Sequence, residues 1–203
     1  MSARLQPGDL VIVSGSGWIS GAIRRLTPRR GGEPVWATHV GIIGRGGPIE
    51  DATLVHARVR VVEEPLLERY PPDGEDRVAV FRLLDLGWEH RQAIAEEARS
   101  WLGSPYGGWR LLLHAGDYAL GGRYAFRRLA RMDDYPICSW LTGRAYEDAI
   151  GRRLGAPYRK ATPHHQWRHV TEETWDEWST VVGPSGWPSE RSIVSMIDPE
   201  ADE

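Results

Sequence analysis

Thr38-His39-Val40-Gly41-Ile42-Ile43 is a β-branched run interrupted by one histidine and one glycine, and its reading as a strand governs how the rest of the chain is understood. Upstream, Gln6-Pro7-Gly8-Asp9 is turn chemistry that feeds a second run, Leu10-Val11-Ile12-Val13. Gly15 to Gly17 then open a short amphipathic helix over residues 18–26, closed by Thr27-Pro28. Downstream, residues 44–48 are a turn, and residues 53–62 and 77–83 read as a third and a fourth strand. Short strands in close succession predict an antiparallel sheet.

Helical spacing takes over beyond the fourth strand. Residues 88–102 carry Ile94, Ala98, Trp101 and Leu102 on one side of a charged face, and Gly103-Ser104-Pro105 ends them. Weaker helical patterns cover 109–115 and 125–131, and a firmer one covers 137–150 with Cys138 in its first turn. Helical pattern returns over 171–180 before a Pro/Gly/Ser-rich stretch and an acidic end. Strands followed by helices predict an α+β fold. We expect one domain over residues 1–183, with an insert at 107–135 and a flexible tail at 184–203.

The 203 residues are 41% hydrophobic and 26% charged, with a formal net charge of −3. Acids and bases are interspersed, so no field points to nucleic acid. No apolar run approaches the roughly 20 residues of a membrane span. The opening MSARLQPGDLVIV lacks the features of a secretory signal, so a cytoplasmic or phage-associated protein is expected. One cysteine excludes an internal disulfide and a multi-thiolate zinc site, and no cofactor is expected. The chain contains no asparagine, so any residue orienting a catalytic histidine must be His, Asp, Glu or Gln.

A thiol in the first turn of a helix and near an imidazole is expected to have a lowered pKa. The N–H groups of that turn can also hold an oxyanion. Cys138 is therefore the candidate nucleophile, and Ser139 beside it a candidate oxyanion or substrate contact. His39, on a strand otherwise made of Val, Gly and Ile, is the candidate base. His56, in Leu54-Val55-His56-Ala57, can share a face with His39 if the two strands are adjacent. Gly41 leaves room for close approach on that face. Pro163-His164-His165-Gln166-Trp167-Arg168-His169 invites a metal reading through His165 and His169 at i and i+4, but lacks further ligands, and a hydrogen-bonding cluster is preferred. Trp175 and Trp178, at i and i+3, could form a binding platform.

Pro7-Gly8-Asp9-Leu10, Thr38-His39-Val40-Gly41-Ile42, Val55-His56-Ala57, residues 98–106 (ARSWLGSPY), Ile137-Cys138-Ser139 and Thr162-Pro163 resemble successive blocks of the NlpC-like cysteine peptidases. The Cys-Ser block follows the His-Val-Gly strand instead of preceding it. That order resembles the circularly permuted papain-like branch, which includes YiiX-like hydrolases and lecithin:retinol acyltransferase relatives. The resemblance implies a small antiparallel sheet packed against helices, Cys138 as nucleophile, His39 as base and His56 as third member, with Glu50 as the alternative. It implies Tyr106 as a substrate contact, and a peptide or acylated small molecule as substrate. The expected reaction is hydrolysis of an amide of cell-wall peptide or isopeptide type. Lipid acyl transfer, thioester hydrolysis or a catalytically inactive binding module are the alternatives.

Overall fold

The computed structural model describes residues 4–26, 35–105, 137–159 and 161–182. Strands β2 (Leu10–Ser14), β3 (His39–Ile43), β5 (Thr53–Ala57), β6 (Val61–Pro65), β7 (Arg77–Leu83) and β8 (Trp178–Val182) form a six-stranded sheet in the order β6-β5-β3-β2-β7-β8. Every neighbouring pair is antiparallel. Two short strands, β1 (Arg4–Leu5) and β4 (Gly47–Pro48), pair separately. The helices are α1 (Trp18–Leu26), α2 (Leu66–Arg69), α3 (Trp88–Arg99), α4 (Cys138–Ile150) and α5 (Pro163–Arg168). The α+β expectation, with an antiparallel sheet and several helices, holds.

Leu10-Val11-Ile12-Val13 is apolar at every position because both faces of the sheet are covered. Leu10, Ile12, Val40, Ile42, Val55, Ala79 and Phe81 pack with Ile94 and Ala98 of α3 and Trp140, Leu141, Ala145 and Tyr146 of α4. Val11, Val13, Ile43, Leu54 and Val80 pack on the other side with Leu5, Leu66 and Tyr70. Asp9 is fully buried between these layers; it accepts the Gln6 N–H at 2.8 Å, closing the expected turn, and pairs with Arg82 at 2.7 Å and Arg91 at 3.6 Å.

Two sequence readings need correction. The stretch read as one strand over 53–62 is a hairpin, β5 and β6, reversed at Arg58-Val59-Arg60, where the Arg58 N–H bonds to the Arg60 carbonyl. Helical pattern over 171–180 gives way at Trp178 to β8, because its β-branched end finds β7 as a partner. Trp178 is thereby buried while Trp175 is 67% exposed, so the pair forms no common platform. The predicted helices at 109–115 and 125–131, the insert at 107–135, the tail at 184–203 and Tyr106 lie outside the described residues.

Candidate active site

Helix α4 begins at Cys138, and its N-cap, Ile137, supplies no side-chain cap. Its first-turn N–H groups are left to other partners. Three struts fix this end: Ser139 Oγ donates to the Ala161 carbonyl at 2.7 Å, Gln166 Nε2 donates to the Ser139 carbonyl at 2.9 Å, and Thr142 Oγ1 bonds to Gln166 Oε1 at 2.8 Å. The Ser139 hydroxyl is thus committed to structure, and its backbone amide favours the ionised form of the thiol. The far end closes on Gly151, at φ 70°, the left-handed conformation that suits glycine as a helix stop.

The histidine-rich segment proves to be part of this support. His165 completes a capping box with Thr162 at the start of α5, and His169 Nδ1 lies 3.3 Å from Glu173. Among the described residues, no group of three or more His, Cys, Asp or Glu side chains could hold a metal ion.

Strand β3 is held at its start by Thr38, whose hydroxyl accepts the Gly15 N–H at 2.9 Å and contacts the Val13 carbonyl at 3.3 Å. The ladder between β3 and β5 covers only Ile42 with Val55 and Ile43 with Leu54. Where that ladder stops, the backbone amide of Val40, with those of Ser139 and Cys138, favours the ionised form of the Cys138 sulfur. The thiol at the mouth of α4 therefore meets the sheet at the residue next to His39.

Beyond His39 runs a hydrogen-bonded chain. His39 Nε2 lies 2.8 Å from His56 Nδ1, and His56 Nε2 lies 2.8 Å from Glu64 Oε1. Glu64 comes into reach because the hairpin pairs Leu54 with Glu64 and His56 with Val62, so the two side chains are diagonal neighbours on one face. A carboxylate only accepts, so His56 carries its proton on Nε2. Its Nδ1 is then an acceptor, which requires His39 to donate from Nε2. The free lone pair of His39 is left on Nδ1. Glu64 thus sets both tautomers from a distance.

Gly41 makes this packing possible, since a Cβ there would lie 2.7 Å from Leu54 Cδ1 and 3.0 Å from His56 Cβ. The room expected at Gly41 is taken by His56. Glu50, the alternative orienting residue, is exposed in a single 3-10 turn that precedes β5 and contributes nothing to the chain. Tyr70 is a neighbour that sequence reading missed: its ring centroid is 6.5 Å from that of His56 and it is 5% exposed, and burial pushes its hydroxyl well above the usual phenol range.

Burial dominates the electrostatics. It holds His39 well below the usual imidazole range, helped by repulsion from His56, Arg69 and Arg58, and it takes His56 down to about 3, helped by Arg58 and Arg69. It also pushes the Cys138 thiol up to about 11, against the pull of the three N–H groups. The expectation of a lowered thiol pKa is overturned, because Cys138 is only 5% exposed and loss of hydration outweighs the helix terminus. In the free protein Cys138 is a neutral thiol and His39 an unprotonated imidazole.

A thiol titrating near 11 is ionised to only about one part in 10⁴ at neutral pH. Alkylation of Cys138 by iodoacetamide is therefore expected to be slow at pH 7, slower than that of a free cysteine, and to rise close to tenfold per pH unit up to pH 10. Mass spectrometry of quenched time points measures this, and fast labelling at neutral pH contradicts the neutral thiol.

No protein-family model matches the chain, and no curated protein matches it. Sheet, helices and site order define an α+β protein whose fold has a solved counterpart. The chain is similar to the crystal structure of the metalloprotein YiiX (DUF1105) from Escherichia coli O157:H7, with a TM-score of 0.50 and 22% sequence identity over 88% of this chain and 89% of that one. At that identity the likeness is one of architecture. No helix among the described residues is long and apolar enough to cross a membrane.

Proposed function

We propose that the chain is a cysteine-nucleophile hydrolase of permuted papain-like type, cleaving an amide of peptide or isopeptide class. The supporting observation is the chain Glu64, His56, His39, which leaves the Nδ1 lone pair of His39 free one residue from the N–H that meets the Cys138 sulfur. His39 Nδ1 takes the thiol proton as sulfur attacks the carbonyl carbon, and the first-turn N–H groups of α4 stabilise the oxyanion. Collapse breaks the C–N bond, with His39 returning its proton to the leaving nitrogen. Water then attacks the thioester, giving its proton to His39; the S–C bond breaks and the proton goes back to sulfur. His56 is a positioning residue, and Glu64 stabilises the imidazolium through it.

YiiX is described as a metalloprotein. The His39–His56 pair does not have the spacing of two ligands on a tetrahedral zinc ion. Two nitrogens bound to tetrahedral zinc at ~2.1 Å sit about 3.4 Å apart, whereas His39 Nε2 and His56 Nδ1 are separated by 2.8 Å, a hydrogen-bond distance. No step is assigned to a metal.

The substrate class is tested by acid-quenching the protein after exposure to a mixture of muropeptides and acyl lipids and locating adducts by mass spectrometry. A peptidyl thioester on Cys138 supports the reading, and a fatty-acyl adduct moves it to lipid acyl chemistry. Absence of any adduct, with turnover undetectable, leaves a binding module whose buried thiol is inert.

Glu64 offers a second check. Glu64→Ala is expected to lower kcat/KM by roughly 10- to 1,000-fold, since a base held in the wrong tautomer is a recognised route to large losses. Glu64→Gln keeps an acceptor and should retain more activity. Nitrogen-15 spectra of the histidines provide a readout that a merely structural role would not move: His56 protonated at Nε2 in the wild type and a tautomer mixture in Glu64→Ala. Unchanged tautomers would remove Glu64 from the mechanism.

A further inference from the structure

At the end of β3 opposite His39, about 13 Å along the strand at ~3.3 Å per residue, a cavity of about 490 Å³ opens between the turn at Gly44-Arg45-Gly46-Gly47, the segment at Arg4-Leu5-Gln6-Pro7 and helix α3. Arg4, Arg45, Arg82 and Arg99 line it with Trp88 and Gln92, and among the described residues no carboxylate does. Two of these guanidiniums are held from behind. Arg82 is clamped by Asp9 through Nε at 3.0 Å and Nη2 at 2.7 Å, and Arg99 by Glu63 through Nε at 2.9 Å and Nη2 at 2.8 Å. Gly44 makes the second clamp possible, because a Cβ there would sit 2.4 Å from Glu63 Oε1.

Arg4 and Arg45 differ from that pair. Among the described residues neither has a carboxylate within ion-pair distance, and Arg45 Nε reaches only the Asp51 carbonyl at 3.4 Å. Two positive charges without an ion-pair partner among the described residues, beside two guanidiniums held in place whose Nη1 groups are not engaged by Asp9 or Glu63, suit a group carrying about two negative charges on several oxygens, which a phosphate monoester is at neutral pH. Trp88 is 59% exposed at the rim and offers an aromatic face to whatever carries the phosphate.

We propose that this cavity is a binding site for a phosphoryl group borne on an organic molecule, separate from the Cys138 centre. The group reaches it either on a small soluble phosphate monoester or on a phospholipid headgroup; the recognition chemistry is the same.

The test is calorimetric titration of the full chain with phenyl phosphate, inorganic phosphate and phenylacetate, alongside sedimentation with phosphatidylcholine vesicles containing or lacking phosphatidic acid. Arg4 and Arg45 are both exposed, so Arg4→Gln/Arg45→Gln should fold normally, and Arg153→Gln, at a side chain 66% exposed elsewhere, controls for loss of a surface arginine outside the cavity. Saturable binding of phenyl phosphate, weakened at least ~10-fold in the double variant and unchanged in Arg153→Gln, is the expected result. Trp88→Ala should erase the advantage of phenyl phosphate over inorganic phosphate. Recruitment only to phosphatidic acid vesicles, lost in the double variant, assigns the phosphoryl group to a lipid. Absence of saturable binding in both arms, equal affinity in the double variant, or phenylacetate binding as tightly as phenyl phosphate overturns the proposal.

Discussion

Cys138→Ala is expected to reduce turnover of the substrate that acylates the wild type by roughly 10⁴- to 10⁶-fold, the scale seen when a covalent nucleophile is removed. Nothing else within the described site can take its place, since Cys138 is the sole cysteine and the Ser139 hydroxyl is bound to the Ala161 carbonyl. His39→Ala should cost a comparable amount, because the proton would then lack an acceptor. The change at Cys138 removes one buried sulfur from a core of much larger side chains, so the stability loss should stay near 1 kcal/mol. Circular dichroism melts beside steady-state kinetics separate the two effects. Activity within tenfold of the wild type in a folded Cys138→Ala protein would end the nucleophile assignment.

The largest stability effect is expected from Asp9→Ala, about 3–5 kcal/mol by urea denaturation, the range for removing one partner of a buried ion pair. Asp9 is fully buried, and its carboxylate serves the Gln6 N–H, the Arg82 fork and Arg91. Arg91 would remain 6% exposed with only the Leu83 and Leu86 carbonyls. One carboxylate thus joins the loop before β2, the end of β7 and the start of α3. A loss below 1 kcal/mol would mean that the two guanidiniums find solvent once Asp9 is gone. Catalysis should be less affected than folding, since Asp9 stands at the far end of β2 from Val13, the partner of His39.

Much of this arrangement was legible in the residues. Runs such as Leu10-Val11-Ile12-Val13 read as strands because burial on both faces leaves no polar position to confuse the pattern. His39 and His56 were expected on one face from their strands, and their rings meet at 2.8 Å. Glu64 was missed for a specific reason: the reversal at Arg58-Val59-Arg60 contains no Gly, Pro, Asn or Asp, so the hairpin that returns Glu64 to His56 has no turn signature. Glu50 was the carboxylate named as alternative to His56, although it sits near Thr53, the opposite end of β5 from His56. The paired acids Glu63-Glu64 opposite a strand histidine were the available clue. The thiol pKa failed as an expectation because burial is a property of the assembled core, which no local motif encodes.

Strand β6 is the outer edge of the six-stranded sheet, and the Glu64 side chain there is 31% exposed while His56 is wholly enclosed. The enclosed His56 imidazole is therefore wired to bulk water through a carboxylate at the rim. Protons can hop in or out along that line while every strand stays paired. Deuterium should consequently enter the His56 ring nitrogen far sooner than it enters the amides of β2 and β3, whose exchange waits for the sheet to come apart.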